Sequence, residues 1–263
     1  MANFFERSVN YLGEYVENSF RYKILDVSIG LAYSSMILTN GAKKVVGVSY
    51  TRLPPQHTHS ATGKWVGCIS KWTIREVMNL FCSEDPLERT LGLLAINAVS
   101  QLTISERLSI YPDRNMTDLL NIGPSTVVGM VGFIKPLSDR LVKKGATVVV
   151  VDNAFQPSVG HERVFWVERI NELKNAHHLL ITGTSLLFDD VEEVFSLQPL
   201  QGGKKILVGP TAQALPELIF EWGFDAVASS FVVDIQTITE VVRHAGGYQH
   251  MKPFVQKYLA VDD

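Results

Sequence analysis

Cysteine is scarce in this sequence, and its scarcity excludes several classes of protein. Two cysteines, Cys68 and Cys82, occur among 263 residues, and they form no Cys-x-x-Cys pair. Disulfide-dependent domains carry many more cysteines, and structural zinc sites need several Cys and His ligands at short spacing. The sequence therefore predicts neither a disulfide scaffold nor a structural zinc site. Both thiols stand among apolar neighbours and are expected to be buried.

A surplus of one charge and a long apolar run are also lacking. The chain has 24 Lys+Arg against 27 Asp+Glu, a formal charge of −3, which disfavours nucleic acid and anionic membranes as partners. No run reaches the ~18 apolar residues of a membrane helix. The first residues include Glu6 and lack the apolar stretch of a signal sequence. We therefore expect a soluble, cytoplasmic protein with no nucleic-acid or membrane partner.

What is present is enough apolar sequence, 46% of the residues, to bury a core. The first part of the chain predicts a helix over 4–22, three strands and a further pair of helices. The strands are expected at 24–30, 33–38 and 44–50, with a hairpin turn at Asn40-Gly41, and the helices at 73–82 and 86–101. These elements predict an α+β domain over residues 1–112, followed by a linker at 111–120.

The second part of the chain alternates strands with glycine-containing turns and helices. Strands are expected at 126–131, 147–151, 178–181, 205–208 and 226–228, and helices at 136–144, 167–174, 185–195, 212–222 and 235–244. The valine-rich run at 147–151 is typical of a central parallel strand that is covered on both faces. Residues 113–263 are therefore predicted to form an α/β domain with a doubly wound parallel sheet.

Ligands of such sheets bind outside the carboxyl ends of the strands, and small or hydrogen-bonding residues follow all five of these strands here, with Ser229 and Ser230 after the fifth. We predict a ligand-binding set made of Gly132, Phe133, Pro136, Asp152, Thr182, Gly183, Thr184, Gly209, Pro210 and Thr211. Residues of these types also cap helices in any strand-to-helix loop. The pattern therefore predicts where a ligand binds and leaves the reaction open.

Asp152 is the one acid in this set, and we single it out as a catalytic or ribose-binding group. It lies 20 residues after Gly132, the spacing at which an acid receives ribose hydroxyls in dinucleotide-binding folds. The complete Gly-x-Gly-x-x-Gly fingerprint is missing. Two interpretations of Asp152 stay open. It binds an adenosine-type ligand, such as S-adenosylmethionine or a nicotinamide dinucleotide, or it is a turn residue without such a role. The cofactor is unknown.

Other candidates for chemistry are few. His57 and His59 face one side of an extended segment, but two imidazoles are too few for a metal site, so no metal ligands are predicted. The P-loop and the Gly-x-Ser-x-Gly elbow are absent. Asn97 stands in an apolar helix, where a buried amide needs partners. It either braces the backbone of the neighbouring domain or reaches a ligand between the domains.

Several segments together resemble a family of uncharacterised prokaryotic proteins that is described as "putative heavy-metal chelation". The segments are DVSIGLAY (26–33) and GLLAINA (92–98) in the first part, and VGFIKP (131–136), ITGTSL (181–186) and LVGPT (207–211) in the second. The resemblance implies an enolase N-terminal-like domain, a Rossmann-like domain and a cleft between them. It also implies a role around heavy metals, or in condensation or hydrolysis of pterin-, flavin- or siderophore-like molecules.

Two classes of function follow from these observations. In the first, the protein processes a small chelator- or cofactor-like molecule in the cleft, with a nucleotide- or S-adenosylmethionine-binding enzyme as a variant. In the second, it is a non-catalytic protein that binds a metal or a metal complex through His57, His59 and Cys68. The scarcity of Cys and His favours the first class. The expected partner is a small-molecule ligand, and a metal complex is one of the ligands that this class covers. A homo-oligomer is compatible with the sequence.

Overall fold

The computed structural model describes residues 3–19, 22–53, 63–107, 110–112, 114–152 and 162–262. The chain divides into two compact units. Unit 1 consists of Met1–Leu108, Gln213–Leu218 and Ser230–Gln256, and unit 2 of Ser109–Ala212, Ile219–Ser229 and Lys257–Asp263. Two late segments that we had assigned to the second domain are thus part of unit 1.

The strands lie close to the predicted positions, and three more are present. They are β1 (Lys23–Ile29), β2 (Tyr33–Thr39), β3 (Lys44–Tyr50), β4 (Ile110–Pro112), β5 (Val127–Val131), β6 (Thr147–Val151), β7 (Val164–Trp166), β8 (His178–Thr182), β9 (Lys205–Val208), β10 (Ala226–Val232) and β11 (Val255–Val261). The predictions for β6 and β9 match at both ends. Strands β4, β7 and β11 were not predicted, and β4 lies in the expected linker.

The helices are α1 (Phe4–Ser19), α2 (Ile74–Asn79), α3 (Pro86–Arg107), α4 (Lys135–Lys143), α5 (Val191–Ser196), α6 (Pro216–Phe220), α7 (Ile235–Arg243) and α8 (Tyr248–Met251). Three helices in the second half of the chain, α5, α6 and α7, are shorter than their predicted ranges, whereas α4 has its predicted length and is displaced by one residue. The helix expected at 167–174 is a 3-10 helix, Ile170–Asn175, and a second 3-10 helix, Gly183–Leu187, precedes α5. Among the described residues, no helix combines the length and apolar character needed to cross a membrane.

The strands form two sheets. Strands β1, β2 and β3 pair antiparallel in that order. The larger sheet has the order β4-β11-β10-β9-β8-β5-β6-β7, and its strands from β10 to β7 are parallel neighbours. Counted along the chain from β5, these parallel strands have the order 3-2-1-4-5-6, which reverses between β5 and β8. The predicted mixed α/β class with a parallel-rich sheet is confirmed.

Unit 1 covers both faces of its small sheet with helices. Its strands carry buried apolar residues on alternate faces, so a single helix cannot bury them all. On one face α3 approaches β3 so closely that a Cβ on Gly47 would lie 2.5 Å from the nitrogen of Ala98. On the other face Ile238 of α7 packs with Ile37 and Val48. This need to cover the second face is why the late segment that carries α7 belongs to unit 1.

An ion pair fixes the end of α7 to β1. The Arg243 side chain donates to Asp26 Oδ1 at 3.0 Å and to Ser28 Oγ at 3.0 Å, and Ser28 Oγ donates to Asp26 Oδ2 at 2.9 Å. Asp26 and Ser28 belong to the DVSIGLAY segment singled out in the sequence. Their role in the structure is therefore to bind a helix that lies more than two hundred residues later in the chain.

Unit 2 contains a lysine that is completely buried. Lys205, at the start of β9, is 0% exposed, and its Nζ donates to the carbonyl oxygens of Phe195 at 2.8 Å, Leu197 at 3.1 Å and Trp222 at 2.6 Å. Burial lowers the pKa of Lys205 to about 8, so at neutral pH it carries its three protons. Three donors then meet three acceptors, and no buried carbonyl in this group is left without one.

We predict that Gly47→Ala destabilises the protein by about 2 kcal/mol, because the added methyl overlaps the backbone of α3 and forces the helix and strand apart. Chemical denaturation measures this change. Gly247→Ala in the same unit is the matched control, since a Cβ there meets nothing within 4 Å. Equal stability of the two variants would contradict the close packing of α3 on β3.

We also predict that Lys205→Met lowers the free energy of unfolding by about 3 kcal/mol at pH 7, because buried carbonyls lose their donor. The neighbouring Lys204 provides the control. Its side chain is 42% exposed and pairs with Asp225 at 2.6 Å, so Lys204→Met should cost at most about 1 kcal/mol. If Lys204→Met were the more harmful change in a denaturation experiment, the account of Lys205 would be wrong.

Candidate functional site

The predicted ligand-binding residues of unit 2 lie at the carboxyl ends of adjacent parallel strands. With Pro136 of α4 left aside and Ser229, which was not in the predicted set, added, we call these residues the strand-end row: Gly132, Phe133, Asp152, Thr182, Gly183, Thr184, Gly209, Pro210, Thr211 and Ser229. They follow or end β5, β6, β8 and β9, and Ser229 lies in β10. Neighbouring members are joined by hydrogen bonds or by close backbone approach, as follows.

Asp152 binds the loop that follows β5. Its Oδ2 accepts a hydrogen bond from the backbone nitrogen of Phe133 at 2.7 Å, and the nitrogen of Gly132 donates to the carbonyl of Val151 at 2.9 Å. Both bonds extend the pairing of β5 with β6 beyond the last strand residues. The carboxylate that we predicted as a functional group is therefore held at the edge of the sheet.

Gly132 brings the loops after β5 and β8 into contact. Its φ of +79° is a conformation that side chains disfavour, and a Cβ there would lie 2.5 Å from Cγ2 of Thr182. Strands β5 and β8 are the neighbours between which the strand order reverses. In open α/β sheets this is the position at which ligands bind.

The loop after β8 contacts the loop after β9, and the loop after β9 contacts β10. A Cβ on Gly183 would lie 2.5 Å from the nitrogen of Ala212, which places the β8 loop against the β9 loop. The nitrogen of Gly209 donates to the carbonyl of Ala228 at 2.9 Å, and Ser229 Oγ donates to the carbonyl of Gly209 at 2.9 Å. The ends of β5, β6, β8 and β9, together with Ser229 of β10, thus form one continuous edge within unit 2.

The hydroxyl and proline members of the predicted set have local roles. Thr182 Oγ1 accepts from the nitrogen of Thr184 at 3.4 Å and caps the 3-10 helix after β8. Thr211 is 1% exposed, so its side chain lies below the surface of the row. Pro136 is exposed and stands in the first turn of α4, where its fixed φ favours the start of a helix.

Asn97 lies in unit 1 and braces a strand. It is 0% exposed, and its Nδ2 donates to the carbonyl of Val48 at 2.8 Å. The nitrogen of Val48 donates to Oε1 of Gln213 at 2.8 Å. Two side-chain amides thus take the place of a further strand along the outer edge of β3. Sequence reasoning missed Gln213, because nothing in its neighbourhood marks a partner in β3.

The described part of the chain contains no group of three or more His, Cys, Asp or Glu side chains that could hold a metal ion. His57 and His59 lie outside the described residues. Cys68 is partly exposed and Cys82 is exposed, so the expectation that both thiols are buried was wrong. In the 3-10 helix Leu80–Cys82 the ring of Phe81 occupies the core position, and Cys82, one residue later, faces outward.

Phe133, whose backbone nitrogen donates to Asp152, also belongs to an aromatic pair. The rings of Phe133 and Trp166 have their centroids 4.9 Å apart, which is the range of favourable aromatic contacts. Trp166 ends β7, the strand that pairs with β6. Sequence reasoning missed Trp166, because a three-residue strand shows no readable alternation.

The fold defines a mixed α/β protein with a parallel-rich sheet, and comparisons with known proteins define its family. The DUF364 model, described as "Putative heavy-metal chelation", matches residues 115–261, and the DUF4213 model, with the same description, matches residues 11–100. An uncharacterised protein of Methanocaldococcus jannaschii is 31% identical over 256 residues, which cover 96% of this chain and 94% of that protein. The chain belongs to the DUF364 family, and the resemblance noted in its sequence is confirmed.

Two solved structures share the fold. A DUF364-family protein of unknown function from Pyrococcus horikoshii superposes with a TM-score of 0.76 at 20% identity, over 98% of this chain and all of that one. A second, from Desulfitobacterium hafniense, gives a TM-score of 0.67 at 16% identity, over 99% of this chain and all of that one. At these identities the comparison establishes the fold. The function has to be argued from the residues of the site.

We predict that Asp152→Asn keeps most of the stability of the protein, because an amide oxygen can still accept from Phe133. Asp152→Ala removes the acceptor and should lower the free energy of unfolding by about 2 kcal/mol. Thermal and chemical denaturation of the two variants measure the difference. The hydrogen bond would have no structural role if Asp152→Ala were as stable as Asp152→Asn.

Proposed function

We propose that this protein binds a small organic molecule, free or carrying a heavy-metal ion, at the strand-end row. The continuous edge formed by the ends of β5, β6, β8 and β9 with Ser229 of β10, and with Asp152 in it, is the observation that supports the proposal. Open α/β sheets bind ligands at this edge, where the strand order reverses. In this chain the reversal lies at the contact between Gly132 and Thr182.

We propose that the metal arrives as a complex that an organic ligand already surrounds. Heavy-metal ions with soft character favour thiolate and imidazole ligands, whereas the polar side chains of the strand-end row offer carboxylate and hydroxyl oxygens. Such oxygens suit the hydrogen-bonding periphery of an organic complex better than a bare soft ion. The family description, which concerns heavy-metal chelation, and the oxygen-rich row are both accommodated in this way.

We also propose a fold type for each of the two domains. The strand order 3-2-1-4-5-6 of the parallel strands is that of dinucleotide-binding sheets, which supports a Rossmann-like domain over residues 113–263. The antiparallel meander β1–β3 with its flanking helices supports an enolase N-terminal-like domain over residues 1–112. The family models, with bounds at 11–100 and 115–261, support the border between them.

Asp152 is the group that we propose to contact the ligand, with the surrounding members of the row as positioning residues. Pterin-, flavin- and siderophore-like molecules are the ligand types that the family resemblance implies. The aromatic pair Phe133–Trp166, whose Phe133 donates its backbone N–H to Asp152, supports a ligand with a planar ring among them. The two free cysteines support a reducing, cytoplasmic setting.

Native mass spectrometry of protein purified without chelators tests this proposal, with metal analysis of the same sample. We expect one organic compound per chain, released on denaturation together with any metal. Asp152→Asn should lose the compound and remain folded. Asp139→Asn is the matched control, because Asp139 is an acid of α4 that forms an exposed ion pair with Lys135.

A metal ion that is retained without an organic compound, at the same level in Asp152→Asn, would contradict the proposal. That result would instead support direct binding by His57, His59 and Cys68, the non-catalytic alternative. Replacing both histidines with alanine would then remove the metal.

A further inference from the structure

Backbone N–H groups decide whether a strand edge can hold a phosphate, since phosphate sites in α/β sheets consist of such donors at a loop and at a helix N-terminus. In the loop after β5 these donors are already bound within the protein. Gly132 donates to Val151 at 2.9 Å and Phe133 to Asp152 at 2.7 Å. The next nitrogen, that of Ile134, lies 3.3 Å from Sδ of Met130.

In the first turn of α4, backbone nitrogens also donate to acceptors within the protein. The nitrogens of Leu137 and Ser138 both donate to the carbonyl of Ile134, each at 2.9 Å. Pro136 has no N–H at all. A phosphate that bound the nitrogens of Ile134 and Leu137 at the N-terminus of this nine-residue helix would therefore have to displace bonds that the protein makes within itself.

In the loop after β9, backbone nitrogens are also already bound within the protein. Gly209 donates to the carbonyl of Ala228 at 2.9 Å, and Ala212 donates to that of Gly209 at 3.0 Å. Pro210, between them, again lacks an N–H. The positive φ of Gly209, +117°, thus serves the turn itself and does not aim donors at a ligand.

The charge of the row also opposes an anion. Asp152 is the one charged residue in the strand-end row. Lys135, the cation at the start of α4, pairs with Asp139 at 2.7 Å. The remaining side-chain functions are hydroxyls, such as Thr182 and Thr184. Hydroxyls both donate and accept hydrogen bonds, so the carboxylate sets the preference of the row, and it attracts groups that donate hydrogen bonds or carry positive charge.

We infer that the strand-end row selects a ligand without phosphate, whose N–H, O–H or cationic group faces Asp152 and whose planar part lies near Phe133 and Trp166. This inference rests on the proposed function and specifies its ligand class. Among nucleoside-type ligands it favours those without phosphate, such as S-adenosylmethionine, over dinucleotides and nucleoside phosphates. The Asp152 carboxylate suits a cationic or hydrogen-bond-donating group in particular.

Two measurements on the full chain test the inference. The first is the phosphorus content, by elemental mass spectrometry, of the organic compound that wild-type protein releases on denaturation. The second is thermal melting with matched pairs that differ only in a phosphate: adenosine and adenosine monophosphate, riboflavin and flavin mononucleotide. S-adenosylmethionine and NAD⁺ complete the probes, and Asp152→Asn is measured beside Asp139→Asn.

We expect a released compound without phosphorus, and phosphorylated probes that bind at least about tenfold more weakly than their partners, because the phosphate meets the Asp152 carboxylate. The difference within each pair should shrink in Asp152→Asn and persist in Asp139→Asn. A released compound that contains phosphorus, or tighter binding of the phosphorylated partner, would overturn the inference and leave the proposed function standing. Protein that releases no organic compound and binds none of the probes would overturn both.

Discussion

Direct contact between neighbouring strand ends and loops is the constraint on which the candidate site depends. Gly132 lies against Thr182, and Gly183 lies against Ala212, at distances that leave no room for a Cβ. Because the loops touch, the ends of β5, β8 and β9 form one edge. The hydrogen bond from Phe133 to Asp152 extends that edge to β6. Without these glycines the polar groups of the row would stand on separate loops.

Much of the fold could be predicted from the sequence, because the central strands are short apolar runs between glycine-containing turns. The valines of β6 are an example. Strands β4 and β7 have three residues each, too few to show a period. The assignment of α7 to unit 1 could not be predicted, because it depends on the second face of a sheet that lies far away in the chain. Local pattern does not reveal which distant helix covers such a face.

The candidate site, like the fold, could be predicted from the sequence only in part. The rule that ligands bind at the carboxyl ends of parallel strands predicted Asp152 and the glycine loops. The sequence could not show that the nitrogens of Gly132 and Phe133 donate to Val151 and Asp152, and these bonds change the chemistry of the edge. A turn that could have received a phosphate is closed by the protein's own acceptors. The same edge, with its carboxylate and hydroxyls, suits an organic molecule that donates hydrogen bonds, and a heavy metal can enter as part of such a molecule.

The central claim is that the ligand of this protein is an organic molecule held at the strand-end row. A crystal structure of the protein purified without chelators, with anomalous data to locate any metal, tests it most directly. The account predicts density for an organic molecule within hydrogen-bonding distance of Asp152, with any metal inside that molecule. A metal coordinated by protein histidine or cysteine side chains, with no organic density at the row, would contradict it.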